Sequence, residues 1–144
     1  MIDFKNKFDV IKTFIEENYP TYLETFNIER PFVTDAHIDF DAFKQGFCLF
    51  VDFNTITFTS DYEDDCISIA RVSTDIYLVF RNNKIDILNE SLTNASSALY
   101  RLFRNERINI ASGITVQDVN FFRYVEGNKN LVASKFSIEF EMPF

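Results

Sequence analysis

Two segments of the chain repeat apolar residues at the spacing of an amphipathic α-helix. The first stripe predicts a helix from Phe4 to Asn18, which Pro20 ends or kinks near Asn18 because proline lacks a backbone N–H and disfavours helix before it. A short second turn that contains Tyr19, Tyr22, Leu23 and Phe26 is the alternative to a complete end there. The second stripe predicts a helix from Ile85 to Arg104 and consists of Ile85, Leu88, Leu92, Ala95, Leu99 and Leu102. Small residues from Ala95 to Ala98 predict that this second helix lies close against a sheet.

Alternating apolar and polar residues predict the strands. A change of phase after Asn54 indicates a bulge or a turn, and apolar residues on both faces near Phe80 predict a central strand covered on both sides. The predicted extended segments are Phe32–Phe40, Phe47–Phe58, Ile67–Phe80, Ile114–Tyr124 and Val132–Met142, with a hairpin turn at 126–130 before the last. The order predicts an α+β fold of the form α-β-β-β-α-β-β, a mostly antiparallel sheet with two main helices packed on one face.

Length and charge narrow the function classes. The 144 residues suit one domain, from residue 1 to residue 144. A net charge of −8 argues against gripping the phosphates of DNA or RNA and against docking on an anionic membrane. No run approaches the length of a membrane span, so the chain is expected to stay in the cytoplasm. The 18 phenylalanines indicate either surface buried against another subunit or the codon bias of an AT-rich genome.

Residues for catalysis or metal binding are sparse. His37 is the only histidine, and Cys48 and Cys66 have no C-x-x-C spacing, so no metal site and no cofactor are expected. Both cysteines are interpreted as small buried apolar residues. An enzyme that uses scattered carboxylates remains a minor alternative, and its most plausible cluster consists of Asp35, Asp39 and Asp41.

Two charged clusters stand out. The acidic stretch from Asp61 to Asp65 lacks the glycine and the terminal glutamate of an EF-hand, so a solvated loop is the simpler interpretation. Arg101, Arg104 and Arg107 lie at the end of the second helix, where cations complement the helix dipole. They are also candidates for pairing with the acidic loop of a neighbour.

In the order of these elements the chain resembles the tail-terminator proteins of long-tailed bacteriophages, also called tail-completion or minor tail proteins. The likeness is one of pattern and covers most of the chain. It is carried by the first helix, the acidic loop 61–65 with the strand and long helix after it, the aromatic-basic group Phe122-Arg123-Tyr124, the turn, and the last strand with alternating aromatic and acidic residues.

The resemblance implies a ring-shaped homohexamer without catalytic residues, located in the virion tail and built in the host cytoplasm. Such a ring caps the tail tube, ends its polymerisation and supplies the surface that joins the head. Its partners would be the tail tube protein and a head-completion or connector protein, and DNA would pass through without specific binding. On this interpretation the candidate lumen or rim acids are Glu63, Asp64, Asp65, Glu139 and Glu141, and the candidate interface residues are Arg101, Arg104, Arg107, Phe122 and Tyr124.

A second binding function suits the same acidic α+β chain. A small cytosolic chaperone or adaptor would hold a protein client on exposed apolar surface. Such a protein would be a dimer and not a ring, which separates the two hypotheses by oligomeric state.

Overall fold

The computed structural model describes the chain except for residues 1–3, 35–45, 59–68, 83–84, 107–112, 127–128 and 144. The α+β class is confirmed: two helices accompany a five-stranded, mostly antiparallel sheet. In chain order the elements are α1 (Phe4–Glu24), β1 (Phe32–Thr34), β2 (Phe47–Phe58), β3 (Ile69–Asn82), α2 (Ile85–Asn105), β4 (Thr115–Glu126) and β5 (Lys129–Pro143).

The strands lie in the order β1-β2-β3-β5-β4. Strands β1 and β2 are parallel, and the other neighbours are antiparallel. The central position predicted for β3 is confirmed. Glu126 at the end of β4 pairs with Lys129 at the start of β5, so these two strands form the predicted hairpin. Because β5 lies between β3 and β4, the strand β4 is at the edge of the sheet.

Two β-bulges shift the pairing of the strands. The bulge in β2 falls between Phe53 and Thr55, where the sequence pattern changes phase. A second bulge, which the pattern did not indicate, falls in β4 between Val116 and Asp118. Each bulge moves the residues after it to the opposite face of the sheet.

Both helices pack on one face of the sheet, here called the helical face, as predicted. Of the two outcomes expected at Pro20, an end near Asn18 was wrong, because the helix continues through Pro20 to Glu24 and includes the turn that contains Tyr19 and Leu23. Two fully buried side chains beyond the predicted end, Tyr19 and Leu23, anchor the extra turn in the core. The proline removes the hydrogen bond to the carbonyl of Glu16, and that residue is exposed, so water can satisfy the carbonyl.

The close packing predicted for α2 is confirmed. Ala95 and Ala98 have no exposed surface, and small side chains let a helix approach a sheet closely. The Ser96 and Ser134 hydroxyls, both buried, form a 2.8 Å hydrogen bond that joins α2 to β5. The Tyr19 hydroxyl donates a 2.8 Å hydrogen bond to the Ala95 carbonyl and so ties α1 to α2.

The opposite face, here called the open face, carries none of the described helices. Cys48, Phe50, Val79, Leu131 and Ala133 form a second buried apolar cluster there. The burial of Val79 confirms that the end of β3 is covered on both sides. Cys48 is buried, as predicted, and burial raises the pKa of its thiol to about 11. Cys66 lies outside the described residues.

Candidate assembly surface

A groove runs along the helical face between α2 and the edge strand β4. It consists of two adjoining depressions that share Thr93 and Phe121. The helix packs mainly over β3 and β5, so β4 keeps much of this face uncovered. This α2–β4 groove is lined by apolar and small polar side chains that include Leu92, Ser96, Tyr100, Val119, Phe121 and Val132.

Aromatic rings are exposed on both faces of β4. Phe121 is 58% exposed in the groove, which makes it the most exposed large apolar side chain in the described part of the chain. Its neighbour Phe122 is 38% exposed, and successive residues of a strand point to opposite faces. Phe122 therefore lies on the open face, where its ring meets Tyr77 edge-on at 6.5 Å. Tyr100 of α2 adds a second exposed ring at the groove.

Among the described residues, the outer edge of β4 is available for pairing. Of the strands that the structure describes, only β5 pairs with β4. The strand has 12 residues, which corresponds to a length of about 40 Å. A row of main-chain donors and acceptors at a sheet edge is a template for another extended chain. At the opposite edge of the sheet, the described part of the chain has three residues of β1, Phe32–Thr34, which pair in parallel with β2.

Two arginines flank the groove. Arg123 lines one end, where its guanidinium donates a 3.4 Å hydrogen bond to the Asn89 side chain. Arg101 lines the other end, with its guanidinium carbon 5.4 Å from the centre of the Phe26 ring. No aspartate or glutamate is among the described residues that line the groove. The groove is thus locally positive in a chain of net charge −8.

The predicted interface residues are only partly brought together. Arg101 lines the groove, whereas the Phe122 side chain lies on the opposite face of β4. Arg104 is exposed in the last turn of α2 and does not line it. Tyr124 belongs to β4, but its side chain lies outside the described residues, as does the whole of Arg107. Phe121, Tyr100 and Arg123 were not among the predicted interface residues.

The candidate acids at the carboxyl end lie on the open face. Arg71 of β3 contacts the Glu139 carboxylate at 3.1 Å and the Glu141 carboxylate at 3.7 Å. Glu139 also accepts a 2.9 Å hydrogen bond from the Gln117 side chain. Both carboxylates are therefore part of a surface network with a cation. The other candidate acids, Glu63, Asp64 and Asp65, lie outside the described residues.

A buried carboxylate at the centre of the open face was missed by the sequence analysis. Asp75 of β3 is 7% exposed. It accepts hydrogen bonds from Asn54 at 2.6 Å and Ser137 at 3.1 Å, and the Lys135 ammonium lies 3.7 Å away. Each contact comes from a strand beside β3, so the cluster joins β2, β3 and β5. The only signal in the sequence was a charged residue within an apolar central strand.

Within the described residues, no group of three histidine, cysteine, aspartate or glutamate side chains is placed to hold a metal ion. The carboxylates of the enzyme alternative, Asp35, Asp39 and Asp41, lie outside those residues, as does His37. Neither described helix has a stretch long and apolar enough to cross a membrane.

Comparison with models of known protein families gives no match to this chain, and no curated protein sequence matches it either.

Proposed function

We propose that the chain is a structural subunit of a bacteriophage tail. In this role it assembles as a hexameric ring that caps the tail tube, ends tail polymerisation and forms the surface that joins the head. DNA passes through the ring without specific binding. The tail tube protein and a head-completion or connector protein are its partners.

The exposed edge of β4 is the observation that carries the proposal. A long edge strand with an aromatic ring exposed on each face would be a liability in an isolated monomer, because such edges pair with other chains. Phe121 and Phe122 supply the kind of aromatic surface that is enriched at protein interfaces. An assembly that covers this edge removes the liability.

The unlike edges of the sheet also suit a ring. A cyclic assembly with more than two subunits needs two different contact surfaces on each subunit, which meet head to tail. In the described part of the chain the β1 edge has three residues and lies beside α1, whereas the β4 edge has 12 residues and lies beside α2. Such a pair of surfaces gives heterologous contacts, and closure of these contacts makes a ring.

The test is the mass of the chain by light scattering over a concentration series, alone and with tail tubes of the phage that encodes it. Wild type should form a ring of about six chains, either free or at tube ends in electron micrographs. Phe121→Asp should lose assembly, because it places a charge on the proposed contact surface. The matched control is Ile87→Asp, which changes a side chain of α2 that is 51% exposed and lies outside the groove lining.

A tight dimer that ignores tail tubes would contradict the proposal and favour the chaperone or adaptor hypothesis. Equal assembly by wild type and Phe121→Asp would contradict the role given to β4. Loss of assembly in both variants would also contradict it, since the effect would then not be specific to the groove.

A further inference from the structure

We infer that the α2–β4 groove binds an extended, acidic segment of a neighbouring protein in the assembly, and that this segment pairs with β4 as a sixth strand of the sheet. The inference rests on the proposed assembly role and adds the chemistry of the contact.

The shape of the site favours an extended chain over a helix. A strand added to β4 would lie about 4.8 Å beyond it, with every second side chain on the helical face. Those side chains would contact Phe121, which is more than half exposed, and would fill the space between β4 and Tyr100. The main chain of the segment would satisfy the outward donors and acceptors of β4, which gives affinity without a particular sequence.

The charge of the site favours acidic side chains in that segment. Arg101 and Arg123 are the charged side chains that line the groove in the described part of the chain. Both are exposed, and each uses only part of its hydrogen-bonding capacity. The guanidinium of Arg101 lies over the Phe26 ring. Because this group is planar, its N–H donors point outward in its own plane and stay available for hydrogen bonds. Arginine of this kind pairs well with carboxylates.

The positions of the arginines set the pattern of the segment. Arg123 is two residues beyond Phe121 on the same face of β4, and Val119, which lines the same depression as Arg101, is two residues before it. A strand rises about 3.3 Å per residue, so the two ends of this stretch are about 13 Å apart. The favoured occupant therefore has an apolar residue opposite Phe121 and an acidic residue two positions away on each side.

A designed peptide tests this pattern. The probe is fluorescein-labelled Thr-Glu-Thr-Phe-Thr-Glu-Thr, and its control has lysine in place of both glutamates. Binding to the full chain is measured by fluorescence anisotropy at low salt. The glutamate peptide should bind about tenfold more tightly or better, because it gains two charge-assisted contacts where the lysine peptide meets repulsion.

Two protein variants of equal net charge make the test specific. Arg101→Glu with Arg123→Glu should reverse the preference of the groove, so that the lysine peptide binds more tightly. Arg30→Glu with Arg104→Glu makes the same change of charge at exposed positions that do not line the groove, and should keep the wild-type preference. Circular dichroism checks that both variants fold.

Absence of a preference in wild type overturns the inference, and so does an equal loss of preference in the two variants. These results are separable from a failure of the proposed function. A chain that caps tail tubes but shows no peptide preference retains the function and loses the inference. A chain that shows the preference but never binds tubes retains the groove and loses the tail role.

Discussion

The buried hydroxyl pair between α2 and β5 offers a direct test of how this helix is held against the sheet. Ser96 and Ser134 are 4% and 0% exposed, and their hydroxyl oxygens lie 2.8 Å apart, so one hydroxyl donates a hydrogen bond to the other away from water. Replacing either serine by alanine leaves one buried hydroxyl without its partner. That loss should cost about 1–3 kcal/mol of unfolding free energy. Replacing both removes the two polar groups together and should be nearly neutral.

The two single variants should differ from each other. In Ser134→Ala the remaining Ser96 hydroxyl can bond the Leu92 carbonyl one turn earlier in its own helix, which lowers the cost. In Ser96→Ala the remaining Ser134 hydroxyl sits in β5 between two paired strands, whose backbone groups bond each other. We therefore expect about 1 kcal/mol for Ser134→Ala and about 2–3 kcal/mol for Ser96→Ala.

The assay is urea unfolding of the wild type, both single variants and the double variant, monitored by circular dichroism. The coupling energy from the double-mutant cycle should exceed about 1 kcal/mol, with unchanged m-values. Additive single effects would refute the reasoning, because they would mean that the two hydroxyls do not depend on each other. Neutral single variants would refute it as well.

Three further substitutions or reactions test other contacts. Tyr19→Phe should cost about 1 kcal/mol at neutral pH by removing the hydrogen bond to Ala95. Burial raises the pKa of Tyr19 well above 10.0, so just above pH 10 this side chain ionises in the unfolded chain but not in the folded one. The unfolding free energy of the wild type should therefore fall, relative to that of Tyr19→Phe, by up to about 1.4 kcal/mol per pH unit. Parallel profiles of unfolding free energy against pH for the two proteins would contradict this. Asp75→Ala should destabilise the fold by about 1–3 kcal/mol in urea unfolding, whereas Asp52→Ala, at its exposed cross-strand neighbour, should change stability by less than about 0.5 kcal/mol. Mass spectrometry of the Cys48 peptide after iodoacetamide treatment at about pH 8.5 should find Cys48 modified only in urea, since burial both shields the thiol and raises its pKa. Alkylation of Cys48 in the folded chain would contradict the packing.

Local pattern was enough to predict most elements of the fold. The start of α2 and the pairing of the β4–β5 hairpin follow from short-range periodicity and turn residues, and the bulge after Phe53 follows from a change of phase. The end of α1 was not predictable in this way, because the local preference of Pro20 is overcome by the burial of Tyr19 against α2. Tertiary packing of this kind leaves no mark on a local pattern.

The groove depends on strand order, which local pattern does not contain. Only the insertion of β5 between β3 and β4 places β4 at the edge, and only that position exposes Phe121. The unpredicted bulge before Asp118 sets which face Phe121 and Phe122 point to. The sequence could therefore suggest an aromatic interface near Phe122 but could not identify the groove beside it. The doublet of adjacent phenylalanines was the available signal.

The central claim is that this chain ends tail-tube growth through the edge strand β4. The most direct test is the length of tubes polymerised from a tail tube protein encoded in the same genome as this chain, measured by electron microscopy with increasing amounts of the chain. Wild type should arrest elongation at amounts far below those of the tube protein and appear at tube ends, and Phe121→Asp should not arrest it. Tubes of unchanged length with wild type present would contradict the account.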